Sequence, residues 1–152
     1  MKRKFRLKYI FIIVITLFVL WNLCWFTITT IQYHKYVKAV PKNKWGTHAM
    51  RKGNYTYSVK KPDYLSFTGN LAVSREDQKD KMEDLIIWPT MTGGYKYGVR
   101  LQENGEAYEI YVNEKLEPVD KSDAIAKKVI MENKEDLKTL FSNANKVWDL
   151  NE

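Results

Sequence analysis

Residues Tyr9–Ile31, YIFIIVITLFVLWNLCWFTITTI, form a run of 23 without a single charged side chain. No other feature of the chain limits its possible folds so strongly. As a helix rising about 1.5 Å per residue, the run reaches roughly 34 Å, enough to cross a hydrocarbon layer about 30 Å thick. A surface helix of a soluble domain keeps one polar face, and this run keeps none. In lipid the backbone must satisfy its own hydrogen bonds, so the many Val and Ile residues do not prevent helix formation. The expectation is a transmembrane helix over residues 9–31, with membrane lipid as its partner.

A cleaved signal sequence is the main competing reading. Its apolar region is normally about 7–15 residues long and is followed by small residues. Here Trp21, Asn22, Trp25 and Phe26 stand where small residues belong, so an uncleaved signal-anchor is expected. Charge flanks the run on both sides. Residues 1–8 hold five basic side chains, and residues 32–62 hold eight, with no acid in either stretch. The short, strongly basic tail is the harder end to translocate. It is expected in the cytoplasm, with the C-terminal part outside the membrane. Trp21, Trp25 and Tyr33 would then form an aromatic belt near the outer interface. Trp21, Asn22 and Trp25 share a region of the helix and are candidates for a helix–helix contact in the membrane, with Asn22 as the polar link.

The rest of the chain is net acidic: residues 63–152 hold 12 basic and 18 acidic side chains. The overall charge of +7 therefore belongs to the flanks of the apolar run. A net-acidic domain lacks the basic footprint that nucleic-acid binding requires. The only cysteine, Cys24, lies within the apolar run, so an intrachain disulfide is excluded.

Residues 32–53 are basic and without clear periodicity, and read as a helical extension to about Lys38 followed by a stalk. Beyond them, Asn54–Lys60 and Tyr64–Val73 alternate like strands, with Gly69-Asn70 as a bulge or turn. Ser74 with the acid three residues later resembles a helix cap. Arg75–Glu83 reads as an exposed helical turn or loop, and Asp84–Thr90 as a buried strand. Tyr95–Gln102 and Ala107–Asn113 flank Asn104-Gly105, the preferred pair for a two-residue hairpin turn. That turn sets Leu101 opposite Tyr108, Val99 opposite Ile110, and Tyr97 opposite Val112, all on one face. On the other face Arg100 meets Glu109, and Tyr111 covers Gly98. Two helices, or one helix kinked near Asn133, are expected to cover the apolar face. One would use Ile125, Val129 and Ile130, with Asp120 or Ser122 as its cap. The other would start near Asn133 and use Leu137, Leu140, Phe141, Ala144, Val147 and Trp148.

The expected fold is α+β: an N-terminal transmembrane helix, then a two-layer sandwich of a four- or five-stranded antiparallel sheet under C-terminal helices. The expected divisions are a tail over 1–8, the anchor over 9–31, the stalk over 32–53 and an extracytoplasmic domain over 54–152.

No constellation of reactive groups stands out, so no catalytic, cofactor-binding or metal-ligating residue is expected. His34 and His48 lie in the basic stretch without a cysteine or acid nearby, whereas a metal site needs three or four converging ligands. Acidic clusters at Glu76-Asp77-Asp80-Glu83-Asp84 and Glu114-Glu117-Asp120-Asp123 lack the spacing of a calcium loop. No small-molecule substrate is identified. Aromatic residues on the second face of the sheet are the candidates for a partner contact: Trp88, Tyr111 and Tyr64. The expected function is a non-enzymatic interaction domain presented outside the cytoplasmic membrane. It would serve as an accessory subunit of a membrane or envelope complex, with a protein partner or a second copy of itself. Alternatives are an immunity protein against a membrane-acting toxin, and an envelope enzyme or divalent-cation-binding protein. The layout is similar to that of many small proteins of low-GC Gram-positive bacteria, with a basic N-terminus, one anchor and a short outer domain. The resemblance covers architecture and carries over no functional residue.

Overall fold

The apolar run forms the middle of one helix, α1 (Lys2–Ala39), 38 residues long and hence about 57 Å from end to end. The structure is a computed structural model that describes residues 2–75, 82–103 and 106–150. The large apolar side chains from Leu7 through Leu20 stand exposed, and the helix over Leu7–Ala39 that contains them is long and apolar enough to cross a membrane. The second half behaves differently. Thr29, Tyr33, Tyr36 and, one residue past its end, Val40 are buried, Tyr33 and Val40 completely. Their spacing of four, three and four marks one helical stripe. One helix thus has an apolar half that its own chain leaves open and a half that belongs to the core of the domain.

Six strands follow: β1 (His48–Lys52), β2 (Tyr55–Lys60), β3 (Asn70–Arg75), β4 (Met82–Pro89), β5 (Tyr95–Glu103) and β6 (Glu106–Val112). They form one antiparallel sheet in sequence order. Two helices close the chain, α2 (Ala124–Glu132) and α3 (Lys134–Trp148). The fold is α+β. Its core lies between the sheet and the helices, where Leu71, Val73, Leu85, Ile87 and Val99 meet Leu137, Leu140 and Ala144. The alternation expected of strands places these residues on one face and Ser74, Ile86, Trp88 and Tyr111 on the other.

The hairpin register agrees with the expectation from its turn pair, with Leu101 opposite Tyr108, Val99 opposite Ile110 and Tyr97 opposite Val112. Asn104 and Gly105 themselves lie outside the described residues. The break between the last two helices falls at Asn133, whose side chain donates to the Val129 carbonyl.

Several local expectations differ from the structure. The sheet has six strands rather than four or five, because β1 lies in the stretch read as stalk. Its residues, HAMRK, are half-exposed or exposed, as suits an edge strand, where Lys and Arg discourage further pairing. With Tyr33, Tyr36 and Val40 in the core as well, most of residues 32–53 is part of the folded unit. Residues 64–69 do not join the sheet, and β3 starts only at Asn70. Ser74 is a strand residue rather than a helix cap. Arg75 and Glu83 face each other across the β3–β4 pair, with residues 76–81 between them outside the described set. The cap of α2 is Asp123, which accepts from the Ala126 amide at 2.8 Å. Ser122 instead donates to Asp120. In α2, Ala126 faces the core and Ile125 is 64% exposed, a shift of one position from the stripe expected.

Candidate functional site

The open face of the sheet is capped at one end by an aromatic pair. Trp88 leaves β4 and Tyr111 leaves β6, and their rings lie 5.7 Å apart at 38°. Gly98 on β5 lies between the two strands and makes this possible. A Cβ added to it would stand 2.8 Å from the Trp88 ring, so the indole lies directly over the glycine. The sequence suggested Tyr111 as the cover of Gly98, but Trp88 takes that place and Tyr111 packs against the indole. The signal was present, because Gly98 and Trp88 are diagonal neighbours once the β4–β5 register is known.

The segment after β6 frames this pair. Asn113 is its pivot: its Oδ1 accepts from the Lys115 and Glu117 amides at 2.9 and 3.0 Å. Its Nδ2 donates to the Glu117 carboxylate. Leu116 adopts a left-handed backbone with φ 59° and plugs the core. The Val119 amide donates to the Tyr111 carbonyl. These bonds fix Val119, 63% exposed, beside Tyr111, 65% exposed. Together the residues border an open cleft of about 1050 Å³, with Lys96, Lys115 and Lys121 along its rim. The Asn113 amide, followed by the nearby lysines, holds the Glu117 carboxyl below its ordinary range. An apolar aromatic floor with charged side chains around it suits contact with a protein surface.

Tyr64, the third aromatic residue proposed for a contact, lies on a different surface. It sits in the loop between β2 and β3, which leaves the sheet and runs along α1. Its ring meets Trp25 edge-on at 5.3 Å, and its hydroxyl donates to Asn22 Oδ1 at 2.8 Å. Phe67 of the same loop meets Trp21 edge-on at 5.8 Å. Trp25 Nε1 donates to the Ser66 carbonyl. The three residues suggested for a helix–helix contact, Trp21, Asn22 and Trp25, are thus engaged by a loop of their own chain. Sequence reasoning missed this because the loop lies about 40 residues away and carries no periodic signal. Higher on α1, the Gly69 amide donates to the Tyr33 hydroxyl at 2.7 Å. The Tyr36 and Tyr95 hydroxyls lie 3.1 Å apart, and Gln32 donates to the Pro89 carbonyl.

Glu76, Asp77 and Asp80 lie outside the described residues, and the other groups considered in the sequence are dispersed. His34 is exposed, and His48 Nδ1 lies 2.8 Å from the Val40 carbonyl. Glu83 and Asp84 are neighbours on β4 and so point to opposite faces. Glu83 lies in the core beside Arg75, whereas Asp84 faces Ser74 and Arg100 on the open side. Asp120 and Asp123 are engaged by Ser122 and by the start of α2. Among the described residues, no group of three or more His, Cys, Asp and Glu side chains is placed to hold a metal ion. No family model, curated protein or solved structure matches this chain.

Proposed function

We propose that this chain is a single-pass membrane protein whose α1 helix holds a small interaction domain on the outer side of the cytoplasmic membrane. There it acts as an accessory subunit of a membrane or envelope complex. The observation that carries this reading is the continuity of α1. Its first half leaves every large apolar side chain from Leu7 to Leu20 uncovered, while its second half supplies Tyr33 and Tyr36, with Val40 just past its end, to the domain core. An element built in this way couples the domain directly to whatever surrounds the apolar half. A basic tail before Tyr9 favours an inside N-terminus. The contacts of Trp21 and Trp25 with the β2–β3 loop favour an uncleaved chain, because cleavage beyond them would strip that loop of its support.

The binding surface in this reading is the Trp88–Tyr111 pair with its fixed rim. A C-terminal reporter in intact bacterial cells should report an external position, and crosslinking in those membranes should recover a defined partner. Replacing Trp88 and Tyr111 together by Ala should abolish that crosslink while the chain stays in the membrane. A protected C-terminus, or a mature chain beginning after residue 31, would overturn the proposal.

A further inference from the structure

The loop between β2 and β3 reaches down α1 as far as Trp21, and its composition changes along the way. Its base carries Lys60, Lys61 and Asp63, with Lys60 paired to Asp63. Its tip reads Tyr64-Leu65-Ser66-Phe67. Leu65 is 59% exposed and held at φ 67°, a left-handed backbone that side chains other than glycine seldom adopt. The turn from Ser66 to the Asp63 carbonyl imposes it. That turn holds an apolar side chain exposed at a local backbone cost.

The level of this tip follows from α1. A hydrocarbon layer of about 30 Å takes roughly 20 helical residues. Counted from the last charge of the tail, Lys8, that layer ends near Ile28. The tip meets α1 at Trp21, Asn22 and Trp25, which places it roughly 5–10 Å inside that limit. Sliding the helix until Trp21 left the layer would draw the basic side chains of residues 2–8 into lipid, which is strongly opposed. Trp21, Trp25 and Tyr64 are also the residue types that favour the boundary between lipid and water.

We propose that the β2–β3 loop is a lipid-contacting wedge: its Tyr64–Phe67 tip enters the headgroup and upper acyl region of the leaflet on the domain's side, with Lys60, Lys61 and Asp63 at the headgroups. This rests on the reading of α1 as a membrane span. The domain then sits directly on the bilayer, held by a second contact beside its anchor.

The test uses the full chain with Cys24→Ala, reconstituted in vesicles of phosphatidylcholine and phosphatidylglycerol. A polarity-sensitive dye is attached at Leu65→Cys, at Ile13→Cys or at Met131→Cys. Leu65 and Met131 are both more than half exposed, so each leaves room for the label. A lipid nitroxide near the headgroup end of the acyl chain should remove about half or more of the emission at position 65, at a depth typical of interfacial elements. Aqueous iodide should quench that label far less than the one at position 131. If position 13 is quenched by a deep nitroxide while position 65 behaves like position 131, the wedge is wrong and the span stands. If position 13 shows no lipid quenching, the span fails and the wedge falls with it.

Discussion

Asp84 stands on the open face of the sheet, where a carboxylate would ordinarily meet water, yet it is buried. Ser74 and Arg100 flank it across the two neighbouring strands. Burial raises its pKa above the ordinary carboxylate value, and the Ser74 hydroxyl and the Arg100 charge oppose that rise only in part. The sign of the pH effect follows. A carboxyl whose folded pKa is raised binds its proton more tightly in the folded state, so it favours folding below the unfolded value of about 3.9. That contribution is lost as pH rises through the raised folded pKa. Asp84→Asn removes the loss. The variant's melting temperature relative to the parent should therefore be higher at pH 7 than at pH 3.5, measured by circular dichroism. An equal offset at both values would show that burial does not penalise the ionised form. Burial also pushes the Tyr97 hydroxyl up to about 12, so this residue stays neutral throughout that range.

The β2–β3 loop depends on one residue at its base. An added Cβ at Gly69 would stand 2.1 Å from the Lys60 carbonyl oxygen and 2.8 Å from the Pro62 nitrogen. Both obstacles are backbone and cannot swing aside. The same residue's amide donates to the Tyr33 hydroxyl, tying the loop to α1. Gly69→Ala should therefore destabilise the domain by about 3 kcal/mol, the upper range for forced overpacking. Gly53 provides the contrast. It has a positive φ of 63° but open space around its Cβ position, so Gly53→Ala should cost only about 1 kcal/mol of backbone strain. Denaturant unfolding of both variants in detergent measures the difference, and equal losses would contradict the close packing at Gly69. At α2 the logic is gentler, because Asp123 supplies one cap hydrogen bond to one free amide.

At the scale of the molecule, α1 carries both the candidate membrane span and part of the core, so the domain has no clean N-terminal boundary at the end of the apolar run. A fragment of residues 32–152 keeps Tyr33, Tyr36 and Val40, and should show a cooperative melt. A fragment of residues 42–152 lacks all three. Each large buried side chain contributes about 1.5–3 kcal/mol, so the shorter fragment should lose roughly 5 kcal/mol or more. That approaches the whole stability of a small domain. Cooperative unfolding of residues 42–152 at a similar temperature would show that α1 is packed on the domain without supporting it.

The apolar run, the β5–β6 register and the helix break at Asn133 were all legible in the amino-acid sequence. Each rests on interactions between residues close along the chain: hydropathy over one helix, a turn pair between two alternating segments, and a polar residue followed by acids. The aromatic residues of the candidate surface were legible as types, but which of them share a surface was not. Trp88 and Tyr111 meet because β4 and β6 both flank Gly98, whereas Tyr64 leaves them for Asn22 and Trp25 on α1. Those pairings, the burial of Asp84, and the entry of Tyr33 and Val40 into the core depend on contacts between segments distant in sequence. Only the tertiary structure decides such contacts, because periodicity says which face of an element is apolar and nothing about which other element will cover it.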